Sequence, residues 1–233
     1  MEIAALLTGK AESSFKNKNL KKINGVHIFL YPCIEANKIK EINKFFVSSD
    51  SKKILNECSK IGYEKIKRPK YLSKKNSLHI DVLRHALKIM KDKNYRPEIL
   101  LVLLANAPII KSKWIKECIK ILKNNKKITA IVPVTEGNDH HPLRAKKIKK
   151  DFLKEFIKTK VKTSSNRQDL EKCFFLCHNF WLIRTKSIIE NNGPKPWGFM
   201  GKFVKPFLIR RSIDIHDQLD LDIAKILMKK KRN

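Results

Sequence analysis

No apolar run in this 233-residue chain approaches the roughly 20 residues needed to cross a bilayer. Strand-like residues begin almost at Met1 with no apolar leader before them, so the expectation is a cytoplasmic protein, neither exported nor inserted in a membrane. Cysteine offers no disulfide pattern: Cys33, Cys58, Cys118, Cys173 and Cys177 are odd in number and scattered. The one close pair, Cys173 and Cys177, has no matching second pair to complete a zinc site, and all five are expected as reduced thiols. No Gly-Lys-Ser/Thr closes a P-loop, no GxGxxG dinucleotide turn is present, and no internal repeat stands out. Acidic residues are in deficit, 22 against 52 basic ones, for a net charge of +30. Such an excess usually points to nucleic acid. Arginine is scarce too, however, at nine of the 52, and the lysines run through almost every segment beside Ile and Asn. That is diffuse solvated charge and not a basic stripe, so nucleic acid is not expected as a partner. Where this lysine-rich chain keeps arginine, a planar bidentate donor is an expectation to follow; Arg68, Arg84, Arg144 and Arg167 stand out on that ground.

The length suits one α/β domain with a substantial core. Its organising stretch is Glu2 to Leu20. Ile3 to Leu7 is a short continuous apolar run, as expected of a strand covered on both faces, and Thr8-Gly9 ends it. Lys10, Lys16 and Lys18 then supply charge, Ser13 and Ser14 supply hydroxyls, and Gly9 lets the backbone approach a ligand, which together suit a phosphate group.

Further along, a helix is expected from Leu30 with Pro32 in its first turn. A strand follows over Ile42–Val47, then a helix over Lys52–Ile61 capped by Asp50 or Ser51 and stopped by Gly62. Tyr63–Ile66 is a brief strand delivering Arg68, Ser73–Asn76 a polar loop, and Ile80–Met90 a helix with one apolar stripe. Ile99–Leu104 is the strongest strand signal and runs out into Asn106 and Pro108. A helix over Ser112–Leu122 and a strand over Thr129–Val134 follow. Residues 143–172 are Lys-rich, poor in apolar runs, and expected as a loop-like excursion. Cys173–Ile183 reads as strand broken at His178-Asn179, Phe203–Ile209 as a late strand, Ile213–Asp217 as a final one, and Asp220–Met228 as the closing helix. In open α/β sheets ligands gather at the carboxyl ends of strands, which marks Thr8, Gly9, Asp50 and Asn106. A cationic loop near one end of the chain and carboxylates at Asp214, Asp217, Asp220 and Asp222 near the other are what phosphoryl or nucleotidyl transfer requires.

Six ordered segments resemble the acylneuraminate cytidylyltransferases, the CMP-sialic acid synthetase family, over nearly the whole chain. They are Leu7-Thr-Gly-Lys10 with Lys16-Asn-Lys18-Asn19-Leu20, Val47-Ser-Ser-Asp50, Lys67-Arg68-Pro69 with Leu72-Ser73, His140-His141-Pro142-Leu143-Arg144, Arg167-Gln168-Asp169-Leu170, and Ser212-Ile-Asp214-Ile-His216-Asp217-Gln-Leu-Asp220. The resemblance implies an α/β, Rossmann-like nucleotidyltransferase fold of the GT-A type: a three-layer sandwich with a mostly parallel central sheet, spanning 1–233 as one domain. It implies a homodimer, with residues 143–172 reaching toward the partner and the sugar site. The implied reaction joins CTP and a nonulosonic sugar acid, with Mg²⁺, to give the CMP-sugar and pyrophosphate. Carried over residue by residue, Lys16 and Asp214 would be catalytic. Thr8, Gly9, Lys10, Lys16, Lys18, Asn19, Arg68 and Asn106 would bind nucleotide. Ser77, His79, Arg144, Arg167 and Gln168 would bind the sugar and its carboxylate, and Asp214 and Asp217 would hold the metal.

Two departures qualify the match. Leu104-Ala-Asn106-Ala-Pro108 stands where the family usually carries Gln-Pro-Thr-Ser-Pro, and His216 stands where its second metal carboxylate is expected. A related transferase for 3-deoxy-manno-octulosonate, a nucleic-acid-binding protein on a degenerate nucleotide fold, and an inactive paralogue are the alternatives.

Overall fold

The computed structural model describes residues 1–11, 15, 18–159 and 164–229. In chain order the elements are β1 (Ile3–Gly9), β2 (Lys22–Ile23), β3 (Val26–His27), α1 (Leu30–Asn37), β4 (Lys44–Ser49), α2 (Lys52–Ser59), β5 (Glu64–Lys67), α3 (His79–Asp92) and β6 (Ile99–Leu104). They continue with α4 (Ser112–Asn124), β7 (Ala130–Glu136), β8 (Lys146–Lys149), β9 (Phe152–Glu155), β10 (Phe174–Leu176), β11 (Phe180–Arg184), α5 (Thr185–Glu190), β12 (Val204–Leu208) and α6 (Gln218–Leu227).

β1 shows why the chain folds as three layers. All seven of its residues are buried, and strand alternation sends successive side chains to opposite faces. Ile3, Ala5 and Leu7 pack with Cys33 and Ala36 of α1, Ile54 and Cys58 of α2, and Ile115, Ile119 and Leu122 of α4. Ala4 and Leu6 pack on the other face with Leu83, Ala86 and Met90 of α3 and Ile188 of α5. A strand apolar at every position is the pattern of a sheet covered on both sides.

The sheet runs β10-β7-β11-β6-β1-β4-β5, with β12 also pairing β7. β5, β4, β1 and β6 are mutually parallel. β11 is antiparallel to both β6 and β7, β10 is antiparallel to β7, and β12 is parallel to β7. The ends of β1, β4, β6 and β7 therefore share one edge, where ligands collect in such sheets.

Helix signals were placed as expected at α2, where the Ser51 hydroxyl oxygen accepts from Ile54 N at 3.4 Å. Asp50 does not share that cap; its Oδ1 accepts from Ala11 N at 2.8 Å and pins the loop leaving β1. Gly62, with φ +92, ends the segment in a conformation that side-chain-bearing residues rarely adopt.

Three expectations are corrected. Residues 213–217 form no strand: β12 ends at Leu208, paired with Val134 of β7, and the chain then turns to the loop after β6, where Ile215 N donates to Asn106 O at 3.0 Å. The excursion 143–172 is not simply loop, because β8 and β9 pair as an antiparallel hairpin within it. Thr185–Glu190, not foreseen as a helix, is α5.

Candidate active site

The carboxyl edge of the sheet opens into a cavity of about 710 Å³ lined by Thr8, Gly9, Lys10, Lys18, Asn19, Arg68, Ser73, Lys74, Lys75, Ser77, His79, Val82, Ala105 and Asn106. Nine of the residues singled out from sequence meet here, drawn from the end of β1, the turn at Lys18–Leu20, the end of β5, the start of α3 and the end of β6. Ser73, Lys74, Lys75, Val82 and Ala105 were not singled out as site residues. The Lys74-Lys75 pair beside Ser73 in a polar loop was the signal for them. Lys10, Lys18, Arg68, Lys74 and Lys75 make the walls strongly cationic, which suits a polyphosphate.

Close strand packing forms the floor. A Cβ added to Gly9 would meet Ala105 Cβ at 2.9 Å, so glycine is what lets the exits of β1 and β6 come together. Asn19, 6% exposed, donates Nδ2–H to Lys10 O at 2.9 Å and leaves its Oδ1 without a protein partner. Lys10 Nζ donates to Lys74 O at 2.8 Å, joining two walls of the cavity. Burial and the nearby Arg68 lower the Lys10 pKa, against the opposing pull of Asp50.

Arg68 is 4% exposed. Its Nη2 donates to Ser48 O at 2.7 Å and its Nε to Ser48 Oγ at 3.2 Å. Burial brings its pKa down to about 10, with Asp50 pulling the other way, so it stays charged at neutral pH.

His79 is held neutral. Thr8 Oγ1 lies 3.4 Å from Leu103 O and 3.2 Å from His79 Nε2. The single hydroxyl proton goes to the carbonyl, which leaves His79 Nε2–H as donor to the Thr8 oxygen. Burial first, then the positive Arg68, His178 and Lys10, push the His79 pKa down to about 3. An unfolded chain protonates this histidine near its usual 6.5, whereas the folded protein refuses the proton until about pH 3. Stability therefore falls as pH drops below 6.5. Urea unfolding is expected to lose about 2 kcal/mol from this group between pH 7 and pH 4.5, and His79→Gln, which keeps a donor for Thr8, should flatten that slope.

Beside the cavity, Asn106 donates Nδ2–H to Asp214 Oδ1, and Ile215 N donates to Asn106 O at 3.0 Å. Asp214 Oδ2 lies 3.1 Å from His216 Nε2 and 3.5 Å from His178 Nδ1. His178 was read only as a break between strands; its ring also meets Trp181 at 5.7 Å between centroids. Burial lowers the His178 pKa, with Asp214 opposing and His216 assisting.

The remaining sequence candidates lie elsewhere. Asp217 is the N-cap of α6, accepting from Asp220 N at 2.9 Å, while Asp220 Oδ2 accepts from Asp217 N at 3.3 Å. Arg144, Arg167 and Gln168 are exposed and do not line the cavity; Arg167 Nη1 pairs with Asp139 at 3.1 Å. His141 Nδ1 accepts from Leu143 N at 3.2 Å and caps the short turn holding Arg144. Lys16, Ser13 and Ser14 fall outside the described residues. Among the described residues, no group of three or more His, Cys, Asp or Glu is arranged to hold a metal ion.

Residues 12–187 match the family described as Cytidylyltransferase. Post-translational flagellin modification protein B of Campylobacter coli is 26% identical over 225 residues, covering 93% of this chain and 90% of that protein. CMP-N,N′-diacetyllegionaminic acid synthase of Campylobacter jejuni is 26% identical over 218 residues, covering 91% and 88%. Among solved structures, CMP:2-keto-3-deoxy-manno-octonic acid synthetase complexed with CTP matches with TM-score 0.70 at 12% identity, over 98% of both chains. The 4-diphosphocytidyl-2C-methyl-D-erythritol synthase of Anaerococcus prevotii matches with TM-score 0.67 at 14% identity, over 98% of this chain and 99% of that one. At these identities the structural likeness is one of fold.

Proposed function

Because the chain belongs to the cytidylyltransferase family, we propose that it transfers CMP from CTP to the anomeric hydroxyl of a nonulosonic, sialic-acid-like sugar and releases pyrophosphate. The observation that carries this reading is the cavity itself: five cationic side chains line it, and Asn106 ties its wall to the Asp214 carboxylate. The sugar hydroxyl oxygen attacks the α-phosphorus in line, the bond from that phosphorus to the pyrophosphate oxygen breaks, pyrophosphate leaves with the bonding electrons, and the hydroxyl proton passes to solvent. Lys10, Lys18 and Arg68, with Lys16, hold the triphosphate and its leaving end, and Asn19 with Thr8 and Gly9 seats the nucleoside. Ser77 and His79 face the substrates from the α3 side.

A one-carboxylate site fits Mg²⁺, which is usually held by one or two carboxylates plus substrate phosphates. Asp214 is the proposed ligand, since Asn106 ties it to the cavity wall whereas Asp217 caps α6, and imidazole is a poor partner for Mg²⁺. The ion supplies charge neutralisation on the reacting phosphate.

The excursion 143–172 is proposed to pair with a second copy and to carry Arg144, Arg167 and Gln168 toward the partner's sugar site. In support, Ile148, Phe152, Leu153, Phe156 and Ile157 are all exposed around the β8–β9 hairpin, an apolar surface that a lone soluble chain rarely shows. Light scattering should find a dimer, and Leu153→Asp with Phe152→Asp should give a monomer. Cytoplasmic placement suits five cysteines of which none forms a disulfide; among the described residues, no helix is long and apolar enough to cross a membrane.

The decisive assay follows pyrophosphate release from CTP and Mg²⁺ with N,N′-diacetyllegionaminic acid, N-acetylneuraminic acid or 3-deoxy-manno-octulosonic acid. Turnover with either of the first two is expected. Turnover with only the third reassigns the sugar, and silence with all three overturns the proposal.

A further inference from the structure

Asp214 lies in a segment that belongs to no sheet or helix, yet the proposed chemistry needs its carboxylate fixed to within a fraction of an ångström. Three backbone and packing ties hold the segment. Ile209 N donates to Val134 O at 2.9 Å, Ile215 N donates to Asn106 O at 3.0 Å, and the Ile215 side chain is fully buried beside Ile23, Ile28, Leu221 and Ala224. Within the stretch between Ile209 and Ile215, Ser212 is anchored to the break between β10 and β11.

Asn179 sits at that break with no exposed surface. Its Nδ2 donates to Ile109 O, and its Oδ1 accepts from Ser212 Oγ at 2.7 Å. A buried amide is costly unless both ends are paired, and packing alone would be served as well by an apolar side chain of similar size. Both ends are paired here, each to a different loop. Ile109 belongs to the loop after β6 that carries Asn106, and Ser212 lies two residues before Asp214. Asn106 in turn donates to Asp214 Oδ1.

From this bracket we infer that Asn179 is a positioning residue. Through Ile109 on one side and Ser212 on the other, it sets the spacing between Asn106 and Asp214, and so the place of the carboxylate against the cavity. It does not line the nucleotide cavity, and among the described residues none of those lining it hydrogen-bonds to it. The inference rests on the proposal that Asp214 serves the transfer step.

The experiment compares kcat, KM and the calorimetric Kd for CTP in four variants, using the sugar acid that the pyrophosphate assay identifies. Asn179→Asp keeps an acceptor for Ser212 but loses the donor to Ile109; it should lower kcat about a hundredfold. Ser212→Ala leaves the Asn179–Ile109 bond intact and carries less risk to folding; it should lower kcat about tenfold. Ser212→Thr, which keeps the hydroxyl, should restore the parental rate. In each folded variant the Kd for CTP should stay within about twofold of the parent, since the cavity walls are untouched. Parental kcat in Ser212→Ala, or a fall in CTP affinity matching the fall in kcat, overturns the inference. Asp214→Ala separates the two ideas. If it lowers kcat about a thousandfold while Ser212→Ala and Asn179→Asp keep the parental kcat, the bracket is refuted and the role of Asp214 stands; if it too turns over normally, both fall.

Discussion

Asp214→Ala is expected to lower kcat by about a thousandfold while leaving the KM for CTP within a few-fold of the parent. The asymmetry follows from where the charges sit. The cavity's cations come from the loop after β1, the end of β5 and the loop before α3, and they act on the triphosphate before and after the reaction alike. Their contribution is therefore mostly to binding. Asp214 stands apart from them, next to Asn106 at the end of β6. As a carboxylate near a tetra-anionic ligand it would add nothing to affinity by direct attraction; its proposed use lies in holding the cation that offsets charge during transfer. Asp214→Asn sharpens the point, because it preserves shape and can still accept from Asn106. A loss as large as that of the alanine variant assigns the effect to the charge. Steady-state pyrophosphate release with CTP varied at saturating sugar reads both constants, and a large rise in KM with kcat intact would remove Asp214 from the transfer step.

The parts of this arrangement that were readable in the sequence are those dictated by local pattern. Ile99–Leu104 is a strand from end to end as expected, because six apolar residues between polar boundaries admit little else in a covered sheet. The gathering of Thr8, Arg68 and Asn106 at one edge follows once the strands are parallel, since each residue ends or follows a strand. What escaped depended on partners far along the chain. Ile213–Asp217 alternates like a strand, yet among the described residues it pairs with no strand of the sheet, and a ladder needs a neighbour as well as a pattern. The Asp214–His216 contact survives this correction, because alternate side chains of an extended segment share a face with or without a ladder. The β8–β9 hairpin was hidden for a different reason: its turn residues Lys150 and Asp151 take φ of 50 and 65, where the usual signal is Asn-Gly. That signal does occur at Asn24-Gly25, with φ of 48 and 80, and marks the small β2–β3 hairpin, which a search for apolar runs passes over. His178 was invisible as a site residue because nothing local marks it; the antiparallel return of β11 beside β6 is what brings it to the same edge as Asp214.

Arg68 gives the second large effect, and it turns on the difference between arginine and lysine in a chain that otherwise uses lysine almost everywhere. The guanidinium spends Nη2 and Nε on the carbonyl and hydroxyl of Ser48, a two-pronged grip that a single ammonium cannot reproduce. That grip fixes a buried cation in the cavity wall at 4% exposure, where a charge interacts with a phosphate far more strongly than it would in water. Arg68→Met removes the charge and leaves Ser48 O without its donor. It is expected to weaken CTP binding about a hundredfold, near 2.7 kcal/mol, and to cost roughly 2 kcal/mol of stability. Arg68→Lys keeps the charge and loses the fork, and should still weaken binding about tenfold, because the ammonium either satisfies Ser48 or faces the ligand. Calorimetric titration of CTP into the three proteins, with urea unfolding of each, tests the ordering. If Arg68→Lys binds CTP as tightly as the parent, charge alone matters at this position, and the scarcity of arginine elsewhere in the chain loses its force as a guide to the site. If the ordering holds, the arginine at 68 marks a place where general drift toward lysine meets a geometric requirement that lysine does not satisfy.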